Sequence, residues 1–128
     1  MKKSKIFLIV AVLGFALSGC VYDFVAPEAP IVIDPDDPGA VVVSFENEIV
    51  PIFQAKCVGC HKAGGIKSTP DLTADKAYNS ISGYVNTTTP AVSEIYKKPS
   101  PDGNHPAKYS TNEAALVLGW IAQGAENN

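Results

Sequence analysis

Cys57-Val58-Gly59-Cys60-His61 decides the reading of this chain, because two thiols and an imidazole stand within five consecutive residues. The stretch before it is helical in pattern. Phe45, Ile49, Ile52 and Phe53 fall on one stripe within Phe45 to Lys56, at the spacing of one helix face. Pro51 is compatible if the helix proper begins near Asn47 or Glu48, since proline is tolerated in a first turn. After the motif the spacing predicts a short helix around Thr73 to Ile81. A segment rich in Pro, Thr, Ser and Gly follows from Gly83 to Tyr109, with a helical turn at Ser93 to Lys97. The last helix has the clearest signature. Ser110 and Glu113 form a capping box, and Leu116, Val117, Trp120 and Ile121 give an apolar face that ends at Gly124. Nothing between residues 44 and 128 pairs convincingly as sheet, so the expected fold class is all-α, with three to four helices.

Cys-x-x-Cys-His is the attachment signature of a c-type haem. Two thiols must add to two vinyl groups on one edge of a porphyrin, and a two-residue gap lets a tight turn present both sulfurs there. The histidine that follows is carried under the iron as its proximal ligand. Three other uses of the residues compete. A thioredoxin-like redox pair would need a βαβ pattern around it, which is missing. A zinc site would need a fourth ligand, and adjacent Cys and His are poorly spaced for zinc. A structural disulfide or a chance match completes the set. The motif therefore points to one haem c, covalent through Cys57 and Cys60, with His61 on the metal.

The rest of the chain predicts where such a domain would work. Lys2, Lys3 and Lys5 precede an apolar run from Ile6 to Leu17, shorter than the roughly 20 residues that span a bilayer, as in a cleaved signal peptide. Leu17-Ser18-Gly19-Cys20 resembles the lipobox of bacterial lipoproteins, which implies cleavage after residue 19 and lipidation of Cys20. An ordinary signal peptide would instead leave Cys20 as an unpaired thiol in an oxidising compartment. Residues 20–43 read as a lipid-anchored tether, punctuated by Pro27, Pro30, Pro35 and Pro38 and charged by Asp34, Asp36 and Asp37. Either of its β-prone patches, Ile31-Val32-Ile33 or Val41-Val42-Val43, would suit a contact with the domain. Loss of Lys2, Lys3 and Lys5 from ten Lys and Arg leaves seven against thirteen Asp and Glu, a net charge of −6 with no arginine. A chain that acidic does not bind nucleic acid non-specifically, and a protein partner would offer it a basic face. The lipidated domain would face the periplasm. Val21, in place of an aspartate that retains lipoproteins at the inner membrane, leans towards the outer membrane.

Residues 44–128 resemble class I cytochrome c domains of bacteria. Ile49-Val50-Pro51-Ile52-Phe53 runs into the Cys57–His61 motif as the family's first helix does, and Thr69-Pro70-Asp71-Leu72 is similar to the Gly-Pro-x-Leu segment that follows. Gly119-Trp120-Ile121-Ala122-Gln123-Gly124-Ala125 looks like the family's closing helix, which crosses the first near the tryptophan. The resemblance implies a small cytochrome c fold in which the Pro70 carbonyl orients His61 and Leu72 covers the ring. The chain departs from the family at the sixth ligand. Its only methionine is Met1, and the matching loop holds His105-Pro106. His105 is the only histidine besides His61, so the resemblance implies a bis-histidine iron, with a potential below that of His/Met haems. An exposed loop histidine over a five-coordinate, ligand-binding iron is the alternative, and Lys97, Lys98 or Lys108 are lesser candidates for the sixth position. The activity implied is one-electron transfer between extracytoplasmic redox proteins, either as a carrier or as the haem subunit of a larger oxidoreductase. No carboxylate pair or serine-histidine arrangement suggests hydrolysis, and Tyr78, Tyr84, Tyr96 and Tyr109 read as packing or pocket wall rather than redox groups.

Overall fold

A computed structural model describes Ile33 and residues 39–128. The segment 1–19, Cys20 and most of the tether lie outside the described residues. Within them the chain is helical and contains no strand, in agreement with the expected all-α class. No described helix is long and apolar enough to cross a membrane.

The first helix opens as a π turn, Phe45–Ile49, and continues as α1, Val50–Lys56. Pro51 accounts for the wide opening. It has no N–H to give a carbonyl one turn back, so the α ladder is interrupted where it would begin. The flanking amides instead reach one residue further, Ile49 N–H to Ser44 O and Val50 N–H to Phe45 O. The expected start at Asn47 or Glu48 is thus corrected on both counts: helical winding begins earlier, and the α-helix proper begins later. Ser44 caps the entrance by accepting from Asn47 N–H, while its own N–H donates to Glu48. The expected stripe of Phe45, Ile49, Ile52 and Phe53 is buried throughout.

Helix α2, Ala77–Ser80, is shorter than expected and runs into a 3₁₀ turn, Ser82–Tyr84. Another 3₁₀ turn, Pro90–Val92, precedes α3, Glu94–Lys97. The closing helix α4, Thr111–Ala122, carries both reciprocal bonds of the capping box between Ser110 and Glu113. It ends where Gly124 takes a φ of 106°, a left-handed backbone that glycine adopts without steric cost. Its buried stripe is Ala114, Val117, Trp120 and Ile121; Leu116, expected on that face, sits at its half-buried margin.

Aromatic packing joins the two ends of the domain. Phe45 sits 5.1 Å from Trp120, 5.2 Å from Tyr78 and 6.3 Å from Phe53, centre to centre. Each such ring removes on the order of 150–250 Å² from water, so this cluster is the main apolar anchor of the fold. Val43 and Ile33, one residue from each β-prone stretch of the tether, pack on the domain. Val43 is buried, its N–H donates to Gln123 Oε1, and Gln123 Nε2 donates to Val41 O. Ile33 lies on Gly119, where any Cβ would strike its side chain.

Candidate functional site

The Cys57–His61 stretch extends α1 by one further turn. Cys57 N–H donates to Phe53 O, and the N–H groups of Cys60 and His61 both donate to Cys57 O, at 3.0 and 2.9 Å. These bonds wind the three residues through one short local turn, with Cys57 on its buried side and Cys60 on its exposed side. The chain then loops back on the turn. Lys67 N–H donates to Cys60 O, and Leu72 N–H donates to His61 O at 2.9 Å. Gly65 lies so close to the Cys60 carbonyl that a Cβ there would collide with it. Glycine is therefore required by the close approach of two backbones.

That return brings Pro70 under His61. The His61 Nδ1 is 3.2 Å from the Pro70 carbonyl. A proton on Nδ1 donated to that oxygen leaves Nε2 with a free lone pair, the state of a metal-binding imidazole. Neighbouring bonds fix the carbonyl. Asp71 N–H donates to Ser80 Oγ, Gln54 Nε2 donates to Leu72 O, and the Thr73 N–H and hydroxyl both donate to the Asp71 carboxylate. The Thr73 hydroxyl is the main reason that this carboxyl titrates below its ordinary range. Pro70 and Leu72 are both buried.

His105 comes to the same place from the other side. The two imidazole centres are 5.9 Å apart, with ring planes at 34°. Both rings are half-buried and line one cavity of about 270 Å³, together with Pro70, Leu72, Tyr84, Ile95 and Pro99. The His105 Nδ1 is 2.9 Å from Ala107 O and 3.3 Å from Ala107 N; the tautomer with its proton on Nδ1 donates to that carbonyl and leaves Nε2 with a lone pair, whereas the other accepts from the Ala107 N–H. Metal–imidazole bonds of about 2 Å, with each ring centre about 1.1 Å behind its bonding nitrogen, would set two rings on one metal roughly 6 Å apart. The donor pair thus has the separation that a shared metal requires. Among the described residues no three His, Cys, Asp or Glu side chains converge as a metal site.

The thiols differ. Cys57 is buried and Cys60 exposed, and neither is in a disulfide. Burial pushes the Cys57 thiol up to about 11, only partly offset by Lys56. Redox-active Cys-x-x-Cys pairs work through a lowered thiol pKa, so Cys57 has the opposite character.

Of the candidate residues, His61, Pro70, Leu72 and His105 line the cavity, whereas Cys57 and Cys60 lie on the motif turn and are not part of its lining. Cys20 lies outside the described residues. Lys98 lines the cavity and is paired with Glu94 at 2.7 Å, while the Lys108 ammonium donates to Pro101 O. Of Tyr78, Tyr84, Tyr96 and Tyr109, Tyr84 lines the cavity; Tyr109 is buried with its hydroxyl on Ile95 O, and Tyr78 donates to Ala125 O. Sequence reading missed Ile95 and Pro99 as cavity wall, and neither carries a local signal that would have marked it. A second cavity of about 300 Å³, lined by Tyr78, Ile81, Val85, Trp120 and Ala125 among others, has no histidine, cysteine or charged side chain. Compared with protein-family models, curated proteins and solved structures, the chain matches none of them.

Proposed function

We propose that this chain is a mono-haem c-type cytochrome domain that carries single electrons, with Cys57 and Cys60 bound to the haem and His61 and His105 on its iron. The observation that carries the reading is the 5.9 Å approach of the chain's two histidines across one cavity, whose wall is apolar at Pro70, Leu72, Ile95 and Pro99 and charged at Lys67, Glu94 and Lys98. The histidines are distant in sequence, and a pair with no structural partnership has no reason to meet at that separation. When bound, the iron would supply a one-electron couple. The chain's own residues would do the rest. The thiols hold the group against dissociation, and the Pro70 carbonyl fixes the His61 ring and makes it more basic. Leu72, Ile95 and Tyr84 exclude water from one side. The cavity is at the small end of ligand sites, so a flat macrocycle would not be wholly enclosed, and an exposed edge suits electron exchange with a partner.

In this reading Cys20 bears the lipid, the tether holds the domain at a membrane facing the periplasm, and the redox partners present a basic surface to an acidic chain. The acidic excess supports an electrostatic approach: Asp23, Glu28, Asp34, Asp36 and Asp37 stand in residues 20–43 with no lysine among them.

Spectra of the ferric and ferrous protein, with and without carbon monoxide, test the axial pair. A low-spin haem that resists carbon monoxide is expected, and His105→Ala should convert it to high-spin iron that binds the gas. High-spin iron in the unaltered protein would replace the carrier by a ligand-binding haem domain. An unchanged spectrum in the variant would remove His105 from the iron.

A further inference from the structure

We infer that the loop from Lys98 to Tyr109 is a rigid clamp that presents His105, with Tyr109 and Gly103 as its positioning residues. The inference rests on the bis-histidine reading and goes beyond it, because it assigns what holds the second histidine in place. His105 lies on no helix, and its ring reaches the cavity only if the loop keeps its shape.

The loop is closed at its base by two backbone bonds. His105 N–H donates to Lys98 O at 3.2 Å, and Tyr109 N–H donates to Pro99 O at 2.7 Å. Smaller bonds brace the span: Gly103 N–H to Ser100 O, Ser100 Oγ to Lys97 O, and the Lys108 ammonium to Pro101 O. The decisive bond is made by a side chain. The carbonyl of Ile95 in α3 would ordinarily receive the N–H four residues on, but that residue is Pro99, which has none. The Tyr109 hydroxyl takes its place, donating to Ile95 O at 2.9 Å from a buried position. Burial pushes that phenol well above the ordinary tyrosine range, so it remains a donor. The far end of the loop is thereby tied to a residue of the cavity wall. Gly103 sets the near side. A Cβ there would collide with the Lys97 and Lys98 carbonyls, and Lys98 O is the acceptor for His105 N–H.

Two variants of the haem-loaded full chain test the clamp by separate routes. Tyr109→Phe deletes the bond to Ile95, and Gly103→Ala wedges the loop from the carbonyl that His105 uses. Gly83→Ala is the control, since a Cβ at Gly83 meets nothing within 4 Å. The readout is the rate at which cyanide binds the ferric protein, which requires His105 to leave, followed beside thermal unfolding. Tyr109→Phe should bind cyanide about fivefold faster, the factor that one hydrogen bond is worth, and Gly103→Ala at least as fast as that, while the control stays within about twofold. A fall in Tm in both loop variants without faster cyanide binding would overturn the clamp and make the two residues merely structural. Failure of the underlying reading looks different. Unaltered protein would then bind cyanide at once, as fast as His105→Ala, and the clamp would fall with it.

Discussion

The helical ends of the domain and the two loops between them are held together by different forces. Helix α1, its π turn and α4 meet through Phe45, Ile49, Phe53, Val117, Trp120 and Ile121, all almost fully buried. Their stability is apolar area, which tolerates small displacements. The return loop after Cys60 buries only Pro70 and Leu72, and the Lys98–Tyr109 loop only Pro99 and Tyr109. They are fixed by directional bonds and by glycines that leave no room, and every candidate donor to a metal sits on them or on the turn that feeds them. Apolar packing sets the scaffold, whereas backbone bonding sets the angle of each imidazole. Damage to the first should cost stability, and damage to the second should alter the site while leaving the fold nearly intact.

The largest expected effect is in the helical part. Phe53→Ala empties a fully buried ring site beneath the motif turn and should cost about 3–5 kcal/mol, read from denaturant unfolding. A cost near that of an exposed position would mean that the helices are not the anchor.

A smaller effect separates packing from charge. Glu113 is drawn in opposite directions: partial burial works to raise its pKa, while bonds from Lys56 and Ser110 outweigh it and hold the carboxyl below its ordinary value. A depressed carboxylate contributes stability above its unfolded value and loses it as pH falls through the folded one. Glu113→Gln keeps an acceptor for the Ser110 N–H and removes only the charge. It should lower stability by under about 1 kcal/mol at neutral pH, and the difference should vanish below the ordinary carboxylate range. A gap that persists in acid would show that the residue acts through shape instead.

The same division explains what the sequence revealed. Ser110 and Glu113 were readable because a capping box is local chemistry at fixed spacing, and the stripe of Phe45, Ile49, Ile52 and Phe53 was readable because burial repeats with the helix. The π opening was not, since Pro51 announces an irregularity without saying which way the backbone yields. Ahead of helix α2, the Thr73 N–H and hydroxyl are both spent on the Asp71 carboxylate, a turn that the pattern of apolar residues does not announce. In the candidate site, Cys57, Cys60 and His61 form a contiguous motif, and His105 stood out as the remaining histidine. Gly65 and Gly103 carry no local signal, because the carbonyls that crowd them are set by the fold. Ile95 and Pro99 were silent for the same reason.

Haem attachment is the central claim, and the mass of the mature chain after acid unfolding tests it most directly. Made in cells that mature c-type cytochromes, the polypeptide should retain one haem through denaturation and offer no alkylatable thiol at Cys57 or Cys60. A chain with no added mass and two free thiols at those positions would contradict the account.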